Sequence, residues 1–210
     1  MSQRRGRSGA GLDSAVASFI RNGAEDELVS LVLEGRSIVF ALELDSAEHK
    51  RRGERRLGGI TSRGLLHALW ALPEAIEWPT ASVSEPDVRT LEQDGRGLVV
   101  SRRGTIRREY RPAGAIRAVA LLGRSLEDAV VGIGGFPPIF RRYAVASRPT
   151  AQDDHAVSVA NEIGAGAATA TGRGLLVHTR SAPPLIGVPA VYRWWLAERA
   201  YSAWLQANAH

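Results

Sequence analysis

The 210-residue chain contains no cysteine. Disulfides, cysteine-ligated zinc, iron–sulfur clusters and thiol catalysis are therefore excluded. The same absence fits a protein of the cytoplasm, which is the expected location. Lysine is nearly missing too: the basic residues are 26 Arg and the single Lys50. No apolar run approaches the roughly 20 residues that span a bilayer, so no membrane partner is expected. The first eleven residues are rich in Arg, Ser and Gly with no apolar segment behind them. They do not form a secretory signal and are expected to be a disordered basic tail, 1–11. No Gly-x-Ser-x-Gly elbow occurs, which leaves serine-hydrolase chemistry without a sequence basis. The glycine clusters Gly132-Ile133-Gly134-Gly135 and Gly164-Ala165-Gly166 lack both the P-loop Lys-Ser/Thr and the GxGxxG spacing, and read as loops.

A 44% hydrophobic content at this length is enough for a real core. One α/β domain over 12–210 is expected behind the tail. Net charge is +5 and the isoelectric point about 10.3. A basic surface of this kind attracts polyanions, and arginine grips phosphate in a two-pronged fashion.

Patterning suggests helices at 14–22, 24–34, 46–57, 62–78 with an interruption at Pro73, 126–131, 153–163 and 191–206. Strands are expected at 37–45, 81–91, 97–106, 139–147 and 175–179, while 115–122 reads as strand or helix. The segment 46–57 is expected to be a charged, exposed helix. Strand and helix alternating at this spacing imply βαβ units and a mixed, partly parallel sheet flanked by helices. The 191–206 helix carries Val191, Trp194, Ala197, Tyr201, Trp204 and Leu205 along one apolar stripe, leaving Tyr192, Trp195 and Leu196 outside it as a potential partner surface.

Glu43 and Asp45 stand two apart on a strand, so their carboxylates share a face. Glu48, His49 and Lys50 follow within a turn. Carboxylates at a strand end offer the hard oxygen ligands that magnesium or manganese takes. The stretch Glu43-Leu44-Asp45-Ser46-Ala47-Glu48-His49 resembles a short motif in the restriction-endonuclease-like (PD-(D/E)xK) nuclease superfamily. A second stretch, Glu85-Pro86-Asp87 followed by Gly97-Leu98-Val99-Val100-Ser101-Arg102-Arg103, resembles the same superfamily. The resemblance implies catalytic roles for Glu43, Asp45, Glu48 and Lys50, with Glu43 and Asp45 holding a magnesium or manganese ion. Ser101 and Arg103 occupy positions that the superfamily gives to an acid and a lysine, which implies a non-catalytic relative. His67, His155 and His178 would make a metal site only if the fold gathered them.

Arginines cluster at Arg51, Arg52, Arg55 and Arg56, and again at Arg102, Arg103, Arg107 and Arg108. The 51/55 and 52/56 pairs are four apart, so like charges stack along a helix at a small cost. These eight are the expected contacts to nucleic acid or an anionic protein partner. The leading expectation is thus a basic binding or assembly protein. A metal-dependent nuclease and a structural subunit of a larger oligomer or complex are the alternatives.

Overall fold

A computed structural model describes residues 15–16, 19–21, 26–33, 35–171, 174–185 and 190–209. The expected tail, 1–11, lies outside the described residues. The protein is α/β, with a mixed, partly parallel six-stranded sheet flanked by helices. Chain contacts divide it into two units, Met1–Glu43 with Ile116–Val188, and Leu44–Ala115 with Pro189–His210. Among the described residues no helix is long and apolar enough to cross a membrane.

The first unit is built on the six-stranded sheet, in the order β1-β2-β6-β7-β8-β9. β1 (Glu27–Leu33) and β2 (Arg36–Leu44) form an antiparallel hairpin in which Leu33 faces Arg36. Gly35 sits in the tight connection at φ +77°, a conformation glycine adopts without steric cost. β1 corrects the helix expected over 24–34. The run Leu28-Val29-Ser30-Leu31-Val32-Leu33 is compatible with either state, and pairing with β2 decides it.

The centre of the sheet follows from two crossovers. β6 (Gly114–Gly123) leads through α4 (Leu126–Gly134) to the parallel β7 (Arg141–Ala146). From β7 the chain passes through α5 (Asp153–Glu162) to the parallel β8 (Gly166–Thr171). β9 (Gly174–Thr179) then returns antiparallel. The sequence reading missed β8 because its Gly-Ala-Ala-Thr-Ala-Thr run has no large apolar residue. Its smallness is a packing requirement: a Cβ at Gly166 would lie 2.5 Å from the Tyr143 ring and 2.9 Å from the Ser181 nitrogen.

Period-two alternation splits the sheet residues between two faces. On one face Val39, Ala41, Ala118, Ala120, Tyr143 and Val145 form a core with Val16 and Ile20, and Phe19 packs edge-on to Tyr143 at 4.8 Å. On the other, α4 packs on β7, and Arg142, Ala144 and Ala146 are buried. Arg142 is 5% exposed and meets no carboxylate among the described residues. Its guanidinium donates to the carbonyl of Phe136 at 2.8 Å and to that of Ile163, just past the ends of α4 and α5. One buried cation thus satisfies two helix C-termini, where the helix dipole favours positive charge. Burial pushes its pKa below the usual arginine value.

The second unit holds α1 (Ser46–Arg55), α2 (Arg63–Trp70), α3 (Glu85–Asp94), α6 (Ala190–Ala207) and a three-stranded antiparallel sheet. That sheet runs β3-β5-β4, with β3 Glu77–Pro79, β4 Val99–Arg102 and β5 Thr105–Arg108. α3 corrects the strand expected over 81–91. The Ser84 hydroxyl accepts from the Asp87 amide at 3.3 Å, Pro86 occupies the first turn, and Glu85 and Asp87 supply its acids. These are helix-start signals, which the sequence reading assigned instead to a strand. α2 likewise ends at Trp70, and Trp78 belongs to β3 rather than to a helix reaching it.

Candidate functional site

α1 begins where Asp45 Oδ1 accepts from the Glu48 amide at 2.9 Å, an N-cap bond. It ends at Arg56, which takes the left-handed conformation at φ 55°. The helix expected to be wholly exposed buries two charged residues, Glu48 (3% exposed) and Arg52 (0%). The residues lie four apart and face inward together.

Arg52 spends all five of its N–H donors. Nε donates to Glu48 Oε1 at 2.7 Å. Nη1 donates to Glu198 Oε2 at 2.7 Å and to the Gly58 carbonyl at 3.3 Å. Nη2 donates to Glu198 Oε1 at 2.8 Å and to the Arg111 carbonyl at 2.7 Å. Its guanidinium carbon lies 5.4 Å from the Tyr110 ring centroid and 5.3 Å from that of Tyr201, within cation–π range. Glu198 is fully buried on α6 and also accepts from the Ile60 amide at 2.8 Å and the Tyr110 hydroxyl at 3.0 Å. Arg51 completes the cluster with a bidentate pair to Glu48 at 2.6 and 2.7 Å. Two arginines and two glutamates balance in charge, and their polar atoms are satisfied, as a buried ionic network requires.

The protonation states follow. Burial opposes charge on Glu48, but its bonds to Arg51 and Arg52 prevail and hold it below the usual carboxylate value. Burial also opposes the Arg52 charge, and Glu198 with Glu48 outweighs it, holding that guanidinium above its usual value. Burial, reinforced by Glu198, pushes the Tyr110 hydroxyl up.

Beside this network lies a cleft of about 190 Å³ whose walls include Asp45, Glu48, Arg51, Glu74, Arg108 and Arg111. Arg111 Nε pairs with Glu74 Oε1 at 2.8 Å. Arg108 is 8% exposed, donates Nη1 to the Leu69 carbonyl at 3.0 Å, and lies 5.1 Å from the Trp194 ring centroid.

The residues singled out in sequence are distributed as follows. Glu48, Arg51 and Arg52 converge in the network; Asp45, Glu48, Arg51 and Arg108 line the cleft. Glu43 lies in the first unit, paired with Arg117. Lys50 is exposed on α1. His49 Nδ1 lies 3.0 Å from the Tyr201 hydroxyl. Among the described residues no group of three or more His, Asp or Glu is placed to hold a metal. Arg107 pairs with Glu109 at 2.7 Å. Arg55, Arg56, Arg102 and Arg103 are exposed. The expected 52/56 stacking of like charge does not occur, because Arg52 turns inward. The 51/55 pair does converge, both residues donating to the Gly97 carbonyl, at 3.0 and 3.2 Å.

Sequence reading missed Glu198, Tyr110 and Glu74. Glu198 had a signal: a lone acid in Trp194-Trp195-Leu196-Ala197-Glu198, an otherwise apolar stretch, implies a buried partner. Trp195 (8% exposed) and Leu196 (0%), assigned in sequence to a partner surface, are buried in the fold. The side chain of Arg63 stacks on Trp195 at 4.0 Å. The chain matches no protein-family model, no curated protein and no solved structure.

Proposed function

We infer that the protein binds a polyanion, with nucleic acid as the leading partner, through the exposed arginines of its second unit. The supporting observation is a division among those arginines. Arg51, Arg52, Arg107 and Arg111 are neutralised by Glu48, Glu198, Glu109 and Glu74. Arg55, Arg56, Arg102 and Arg103 are exposed and form no ion pair with a carboxylate among the described residues. Holding uncompensated like charge on a surface costs stability, and an anionic partner offsets that cost.

The arrangement suits a backbone contact. Arg51 and Arg55 gather at the Gly97 carbonyl, in the turn that enters β4. Arg103 and Gly104, at φ 28° and 83°, form the two-residue turn beyond β4. β4 thus separates the two groups by about 10 Å of extended chain. Each strand of duplex DNA carries one phosphate per roughly 3.4 Å of axis, so about three phosphates of each strand fall within that span. Arginine forks fix such a backbone without reading bases, and sequence-independent binding is expected. In terms of the nuclease-like resemblance, Ser101 and Arg103 are exposed and suit phosphate contact, the role of a non-catalytic relative.

Fluorescence anisotropy with labelled duplex and single strands tests this. Four arginine–phosphate contacts give a log–log salt slope near −3.6, about a 150-fold loss of affinity between roughly 50 and 200 mM salt. The variant with all four arginines changed to alanine should lose that dependence. No binding at low salt, or an unchanged slope in the variant, overturns the reading.

A further inference from the structure

Arg108 stands apart from every other arginine of the cleft. Arg51 faces Glu48 at 2.6 Å and Arg111 faces Glu74 at 2.8 Å, both within hydrogen-bond length. Arg108 has only a 3.6 Å ion pair between Nη2 and Glu74 Oε2, too long for a hydrogen bond. Its Nε is sealed from solvent and has no hydrogen-bond partner among the described residues. Of its five donors, only Nη1 makes a hydrogen bond to a described residue, on the Leu69 carbonyl at 3.0 Å. A guanidinium that is more than nine-tenths buried and so poorly compensated is costly unless something completes it. Arg52, a neighbour in the same unit, shows the alternative: all its donors are spent.

The open arm is Nη2, on the side of Glu74, and both residues line the cleft. We propose that this cleft is a binding site for a small carboxylate ligand, which takes Arg108 Nη2 and displaces the loose Glu74 contact. The chemistry selects a small monoanion. A volume of about 190 Å³ accommodates a ligand of acetate size. Asp45, Glu48 and Glu74 on the walls disfavour a more highly charged anion such as phosphate. Burial, which already pulls the Arg108 pKa down, is relieved by the incoming charge. This site is independent of the exposed arginines proposed to bind a polyanion.

Isothermal titration of the full chain with sodium acetate, against sodium chloride at equal ionic strength, is the test. Acetate should bind saturably. Glu74→Gln removes the competing carboxylate and should tighten binding severalfold. Arg108→Lys keeps the charge but loses the planar fork, and should weaken binding by at least about tenfold, the worth of one charge-assisted hydrogen bond. Thermal melts establish that each variant folds; if Arg108→Lys does not, Glu74→Gln alone decides. Absence of saturable acetate binding, or unchanged affinity in Glu74→Gln, overturns the proposal. Binding of phosphate in preference to acetate overturns the carboxylate assignment.

Discussion

Replacing Glu198 by leucine removes the centre of the second unit's ionic network. Five donors lose their acceptor at once: Arg52 Nη1 and Nη2, the Ile60 and Ala113 amides and the Tyr110 hydroxyl. Arg52 is fully buried, so no water replaces the lost carboxylate. Breaking a buried pair from one side costs about 3–5 kcal/mol. For a chain of this length each kcal/mol moves the melting point by about 2–4 °C, so a fall of about 6–20 °C is expected. Arg52→Met alone should cost a similar amount, because it strands the Glu198 carboxylate. The double variant Arg52→Met with Glu198→Leu exchanges a charged pair for apolar packing. It should cost about 1–3 kcal/mol, set by the Tyr110 hydroxyl and the Ile60 and Ala113 amides, which lose the Glu198 acceptor. The two single changes are therefore strongly non-additive, with a coupling of 2 kcal/mol or more by order of magnitude. Urea unfolding of the four proteins, followed by tryptophan fluorescence, measures it. Additivity within about 0.5 kcal/mol would mean that Arg52 and Glu198 do not hold each other in place, and the network would lose its structural role.

Three further outcomes are expected. Glu48 titrates lower in the folded than in the unfolded chain, so its contribution to stability is present above the unfolded pKa of about 4.3 and is lost as pH falls through the lower folded value. Melting temperature should therefore decline below about pH 5, less steeply in Glu48→Gln, and parallel acid profiles in the two proteins would contradict this. Arg142→Met removes donors from the carbonyls of Phe136 and Ile163 and should destabilise by about 2–3 kcal/mol in a urea titration; no change would mean that water caps both helices as well. Gly59→Ala places a Cβ 2.8 Å from both the Glu198 carbonyl oxygen and Ser202 Cβ, backbone and side chain of α6, and should lower the melting point by several degrees, whereas Gly53→Ala, with nothing within 4 Å, should not.

The fold class was legible because strand and helix alternate through the second half of the chain. The runs that became β7, α4 and α5 carry their own apolar periodicity and caps, such as the Ser125 hydroxyl accepting from the Asp128 amide at 3.2 Å, whereas the run that became β6 suited strand or helix alike. Local sequence also determined the start of α1 at Asp45 and of α2 at Ser62, since an N-cap needs only residues a few positions away. Where local preferences were balanced, partners elsewhere decided. Leu28 to Leu33 became a strand because β2 offered its edge, and β8 joined the sheet by pairing with β7 and β9, with glycine required at position 166 beside Tyr143. The arginines show the limit most clearly. Composition determined that this protein is basic, and spacing placed Arg51, Arg52 and Arg55 on one helix. Which of them face solvent depended on Glu198, 146 residues away from Arg52 in sequence. A carboxylate inside an apolar helix announces that it needs a cation, but only the tertiary structure chooses among 26 arginines, because pairing energy depends on distance and burial that no local pattern encodes.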